Sequence, residues 1–311
     1  MKKLLKLFVV ILFLNVGCSS DETLITKTVK EEVVKNRIDL KVNNQIPVNS
    51  IRNLTASFCC NSDLSVRFEH WVPTSNGLGY GGSAFNINLD KNGNLLGLWY
   101  KDYTHPNNEF SSALFIPTST LTINDFQFTE NQILKFKVAG KIFKQTYNFF
   151  TQPEFVNIDA DIEIKDFNKC NCDSFVSTLK TNDNLLFHRI SKTQQGNDIK
   201  YSAYTNNGYH MEFLNFTQSL KNLPIGLYPF TENSTSQRID FRKFEGVPRN
   251  FSFSIFPQEW LKYETSGNFE IVEKRQLSSG EIVTKVKFIL VAKFNNQIIF
   301  NFENAVFETQ M

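Results

Sequence analysis

Residues 282–294 read IVTKVKFILVAKF, and the fold class turns on that run. Ile282, Thr284, Val286, Phe288, Leu290, Ala292 and Phe294 share one parity, while Lys285, Lys287 and Lys293 share the other. Successive side chains of an extended chain point to opposite faces, so the run predicts a long strand with one buried and one solvated side. Asn295-Asn296 then supplies a turn, and Ile298, Phe300 and Phe302 resume the period.

The same alternation recurs upstream. Phe85, Ile87 and Leu89 alternate with Asn86, Asn88 and Asp90, before a hairpin signal at Asn92-Gly93. Leu134, Phe136, Val138, Gly140 and Ile142 alternate with Lys135, Lys137, Ala139 and Lys141. Val156, Ile158, Ala160, Ile162 and Ile164 alternate with Asn157, Asp159, Asp161 and Glu163. Helical periodicity is scarce, Gln258 to Tyr263 being one weak candidate. The expected fold is all-β, built from antiparallel β-sandwich or barrel-like domains.

A self-comparison points to two such domains in tandem. At an offset of 129, Gly79-Tyr80 falls on Gly208-Tyr209, Asn86 on Asn215, and Gly97-Leu98 on Gly226-Leu227. At an offset of 152, Leu134-Lys135-Phe136 falls on Val286-Lys287-Phe288. Val156 to Asp159 then matches Phe300 to Glu303 in pattern. The change of offset places 23 extra residues in the second copy between these blocks. The reading divides the chain into a signal peptide at 1–17, a polar tether at 18–45, and β-domains at 46–170 and 171–311.

The amino terminus carries the strongest targeting signal. Lys2, Lys3 and Lys6 precede an apolar run from Leu7 to Leu14, too short to span a bilayer as a helix. It ends at Asn15-Val16-Gly17-Cys18, which resembles the lipobox of bacterial lipoproteins; Asn15 stands where that pattern usually has Leu. The resemblance implies that Cys18 is lipidated and becomes the new amino terminus. Ser19-Ser20-Asp21-Glu22 follows, and resembles the surface-export signal of lipoproteins from Bacteroidota. Anchor, tether and β-domains together resemble the outer-membrane and surface lipoproteins of that group, Flavobacteria-like in composition. Ser266-Gly267-Asn268-Phe269 and the two strands after it look like a small β-domain recurrent there. Lipid attachment to the outer membrane, on the cell surface or on its periplasmic face, is what this implies.

Charge and cysteines narrow the function classes. The chain holds 33 Lys and Arg against 31 Asp and Glu. Removing residues 1–17 leaves 30 basic residues against 31 acidic, so nucleic acid is not expected as a partner and an anionic polymer is not the obvious one. Cys59-Cys60 and Cys170-Asn171-Cys172 are candidate disulfide partners, or remain as thiols. Links between the two clusters are easier than a bridge between adjacent residues, and would contribute at most about 4–5 kcal/mol. The spacing suits a four-thiolate zinc site poorly, so no metal or cofactor is expected.

No catalytic motif emerges. His70, His105, His188 and His210 form no H-x-x-x-H pair, and no G-x-S-x-G elbow occurs. The glycines at 77, 79, 81 and 82 lead into a strand, not the helix a dinucleotide loop requires. Asp159, Asp161 and Glu163, and Asp240 with Arg242, read as solvated strand faces. Trp99, Tyr100 and Tyr103 are the candidate ligand-stacking residues, since flat rings suit the apolar faces of sugars. A non-enzymatic surface module binding a glycan or protein is expected; the alternatives are an accessory subunit of an envelope complex and a surface polymer hydrolase.

Overall fold

Alternation in the sequence becomes burial in the structure. Leu134, Phe136, Val138 and Ile142 are completely buried, while Lys137 and Lys141 between them are exposed. Val286, Phe288, Leu290 and Ala292 are buried in the same manner. This computed structural model describes residues 36–47, 51–58, 63–73, 80–105, 107–130, 132–145, 153–169, 175–183, 185–250 and 256–310. Among them there is no helix long and apolar enough to cross a membrane. The one helical element among the described residues is a 3-10 turn at Pro257–Glu259.

The first ten strands are β1 (Arg37–Val42), β2 (Ile51–Phe58), β3 (Asp63–Pro73), β4 (Tyr80–Asp90), β5 (Leu95–Asp102), β6 (Asn108–Ser111), β7 (Leu121–Thr129), β8 (Ile133–Lys144), β9 (Phe155–Ile164) and β10 (Asn168–Lys169). They form one sheet, ordered β1-β9-β8-β6-β5-β4-β3-β2-β10, with β7 also paired to β8. Every pairing is antiparallel except that of β10 with β2. Long β8 lies at the corner: residues 133–140 pair with β7, and Phe143 and Lys144 pair with β6.

The remaining strands are β11 (Thr178–Lys180), β12 (Phe187–Gln195), β13 (Asp198–Thr205), β14 (Tyr209–Phe216), β15 (Gly226–Thr231), β16 (Arg238–Phe244), β17 (Trp260–Lys262), β18 (Glu264–Gln276), β19 (Ile282–Phe294) and β20 (Gln297–Thr309). They form two sheets, β11-β20-β19-β18-β15 and β12-β13-β14-β16-β17. Asn295 and Asn296 both take positive φ, 50° and 61°, which closes the tight β19–β20 hairpin.

The two halves share an order of strands. In the first, β1-β9-β8-β7 mirrors β11-β20-β19-β18, and β2-β3-β4-β5-β6 mirrors β12-β13-β14-β16-β17. The first sheet is nearly closed and barrel-like, and the second half is a half-barrel. Their cores differ in material. The first is mainly aliphatic around Leu64, Val66, Ile162 and Phe136, with four buried phenylalanines. The second holds nine, with the Phe213 ring 4.8 Å from Phe307 and 5.5 Å from Phe288.

Several sequence expectations need correction. The tether reading ran to residue 45, yet Arg37–Val42 is a strand paired with β9, with Ile38 and Leu40 buried. Three alternating apolar residues were too short a pattern to register. The weak helix at 258–263 is instead the end of the 3-10 turn followed by β17. The match of Gly97-Leu98 to Gly226-Leu227 also fails in topology. β5 pairs with β4, whereas β15 leaves the β14 sheet and pairs with β18. The true counterpart of β5 by strand order is β16, so β15 belongs to the extra residues of the second half. Cys18 with residues 19–22, and Cys59, Cys60, Cys170 and Cys172, lie outside the described residues.

Candidate functional site

A cleft of about 1400 Å³ opens between the outer face of β4 and β5 and the segment running from Phe175 through β12. The sequence builds its first wall directly. With Ile87 and Leu89 turned into the core, Asn86 and Asn88 must face outward. Register then sets Asn86 opposite Trp99 and Asn88 opposite Gly97. Cross-strand neighbours stand about 5 Å apart, so two amides and an indole form one patch.

Trp99 is half-buried and fixed in orientation, its Nε1 donating to Glu109 Oε1 at 2.7 Å. Asn86 Oδ1 is buried and accepts no hydrogen bond from the described residues. Such an acceptor costs roughly 1–3 kcal/mol unless something donates to it. Asp90, the one carboxylate among the described lining residues, is committed to its turn. It accepts from the backbone N–H groups of Asn92 and Asn94, both at 2.8 Å, and from Asn94 Nδ2 at 2.7 Å.

The facing wall contributes Arg189. β12 carries a register shift between His188 and Ser191, and Arg189 sits in it with φ at 51°. A bulge of this kind redirects a side chain at the cost of local strain. The guanidinium crosses to the first half, where Nη2 donates to Ser112 Oγ at 3.0 Å and Ser112 O at 3.4 Å. Ser112 is itself held on β5, its Oγ accepting from Leu98 N at 3.0 Å. Gly97 leaves room for this crossing, because a Cβ there would lie 3.3 Å from Arg189 Nη2. Beside it, His188 is buried, and burial together with the Arg189 charge pushes its imidazole down to about 4.

Away from the cleft mouth the halves are sealed by the segment after β6. Phe115 is buried, with its ring 5.3 Å from Tyr204, 6.0 Å from Phe244 and 5.9 Å from Trp260. Its backbone exchanges two hydrogen bonds with Arg249, at 2.9 and 2.8 Å. Gly208 has φ at 91°, and a Cβ there would stand 2.6 Å from Ile116 O. On the same face of the second half, Glu212 is buried between Arg242 Nη2 at 2.8 Å and Lys200 Nζ at 3.0 Å. His210 Nδ1 accepts from Arg242 Nε at 3.0 Å, and its ring stacks on Tyr204 at 4.0 Å. Burial, then Arg242 and Lys200, hold that imidazole well below its ordinary range, so it is neutral.

Of the three aromatic candidates, only Trp99 lines the cleft. Tyr100 is a correction: it is 6% exposed and packed into the first core, so it has no face to offer a ligand. Adjacent residues of a strand point oppositely, and Trp99 and Tyr100 could not both face out. Tyr103 is exposed at the turn after β5 with Lys101 Nζ 5.2 Å from its ring centre, outside the cleft. Arg189 and Ser112 escaped the sequence reading, since neither belongs to a motif. Among the described residues no group of three or more His, Cys, Asp or Glu could hold a metal ion. No known protein family, curated protein or solved structure matches this chain.

Proposed function

We propose that this chain is a surface lipoprotein, anchored through Cys18, whose two β-halves form a saccharide-binding module. The observation that carries the reading is the patch made by Trp99, Asn86 and Asn88 inside the cleft. A fixed indole offers a flat apolar surface, and adjacent amides both donate and accept toward hydroxyls. The Asn86 side chain lines the cleft, but its Oδ1 is buried, so the hydroxyl contacts fall to Asn88 and to the accessible amide nitrogen. The cleft exceeds the usual 300–1,000 Å³ of small-molecule sites, which suits several sugar units in a row.

Binding of a panel of tetrasaccharides, followed by Trp fluorescence and calorimetry, tests this. Trp99→Ala is expected to weaken the best binder at least tenfold while leaving the unfolding free energy within about 1 kcal/mol of wild type. Tyr103→Ala is expected to change neither quantity. Equal affinity in wild type and Trp99→Ala would remove the cleft from the account. Anchoring is tested by protease shaving of intact cells: the native chain is cleaved, and Cys18→Ala is released or protected.

A further inference from the structure

We infer that the saccharide taken by this cleft is acidic, with Arg189 as the receptor for its anionic group. The inference rests on the saccharide reading of the cleft and adds its charge. Arg189 commits one terminal nitrogen to Ser112, while Nε and Nη1 donate to none of the described residues. No described carboxylate pairs with it, and burial alone draws its guanidinium below its ordinary value. It is exposed to the cleft all the same. Its Nε and Nη1 are therefore open to charge-assisted hydrogen bonds with an incoming anion.

Three further features aim the site at a ligand. The bulge and the left-handed backbone at Arg189 direct its side chain across the gap instead of along its own sheet. Arg189 Nη2 lies against Gly97, 3.3 Å from where a Cβ would stand, and Gly97 is two residues from Trp99 on the same strand face. A sugar ring lying on Trp99 would therefore bring a carboxylate or sulfate substituent within reach of Arg189. Lys91 and Lys180 also line the cleft and are exposed, against one carboxylate among the described lining residues, that of Asp90, already occupied. The near-neutral balance of the whole chain hides this local excess, because charge acts over about a Debye length, not over a sequence average.

The test titrates the purified chain with tetragalacturonate, with neutral galactotetraose and with a sulfated carrageenan tetrasaccharide. Wild type is expected to bind an acidic probe at least about tenfold more tightly than the neutral one, the scale of charge-assisted hydrogen bonds. Whichever acidic probe wins names the acid group. Arg189→Gln is expected to bring that ratio within twofold. Should Arg189→Gln lose cooperative unfolding, the double variant Lys91→Gln/Lys180→Gln answers instead, with an expected drop in the ratio of threefold or more. An unchanged ratio in the folded variant overturns the inference while the saccharide reading stands. If none of the three probes binds at millimolar concentration, the saccharide reading falls, and this inference with it.

Discussion

The two halves turn the same corner in different ways. In the second half, β17 passes into β18 through Tyr263 alone. In the first, nine residues, 112–120, separate β6 from β7. One residue suffices for the turn, so the longer route serves something other than local geometry. Its residues show what: Ser112 holds Arg189, Phe115 fills the aromatic pocket of the second half, and Ile116 O closes against Gly208. The difference teaches that the cleft depends on docking. Residues 112–120 set the distance between walls that neither sheet fixes by itself.

The sharpest way to break that comparison is Phe115→Ala. Deleting a buried ring costs about 3–5 kcal/mol where the site cannot collapse. The expected result in urea unfolding is a loss of that size, seen by the fluorescence of Trp260, whose ring Phe115 contacts. A loss below about 1 kcal/mol would mean that the halves hold their places without this contact. Next in size is Glu212→Gln. Glu212 is buried among Arg242, Lys200 and His210, and removing its charge leaves two cations facing an uncharged amide. Since Lys200 and Arg242 keep some solvent contact, a cost of about 2–4 kcal/mol is expected, somewhat under the value for a fully buried pair.

How legible was this in the sequence? The strands were, because a period of two over ten or more residues has one physical reading. Leu134–Ile142 and Val156–Ile164 take the faces that parity assigns, and so does Thr284–Ala292; the ends of that last strand do not, since Ile282 and Phe294 are exposed and Val283 is buried. Parity also sends Asn86 and Asn88 outward, and the core outward-turns Trp99 while keeping Tyr100. Short pairings escaped, as β1 did with its two buried aliphatics. Arg189 was out of reach for a different reason. Its position depends on a bulge, a positive φ and a glycine 92 positions earlier in the chain, and none of these leaves a local pattern. Phe115 was invisible likewise, as one aromatic in an aperiodic stretch.

Acid distinguishes the halves further. The folded His188 titrates at about 4, against about 6.5 in an unfolded chain. Between those values the unfolded state binds a proton that the folded state refuses, so stability falls as pH falls through that window. The expected loss from pH 7 to 4 is up to about 3 kcal/mol for His188, with His210 acting in the same direction. In the first half, burial alone would raise Asp102, but hydrogen bonds from Thr104 and His105 outweigh it and lower its carboxyl. Its contribution is present above the ordinary carboxylate range and is lost only at lower pH. Urea midpoints from pH 7 to 4 check this, with His188→Gln expected to flatten the curve. A decline unaltered in that variant would assign the acid sensitivity elsewhere.

The smallest expected effect makes the last comparison, between two charged strand faces. Asp161 lies on β9 opposite Lys137, with Arg37 at 3.4 Å, and its side chain is 31% exposed against 51% for the arginine. Glu212 has the same chemistry under 6% exposure. Solvent screens the first pair and the ordering of two long side chains offsets what attraction remains, so Asp161→Asn is expected to change stability by no more than about 0.5 kcal/mol. Raising salt should leave that difference near zero. A loss above about 1.5 kcal/mol would show that the acidic row on β9 acts as a network, and that exposure is the wrong measure for telling the two faces apart. With the expected result, the order of the two variants follows from burial, since the residue types and strand positions are alike.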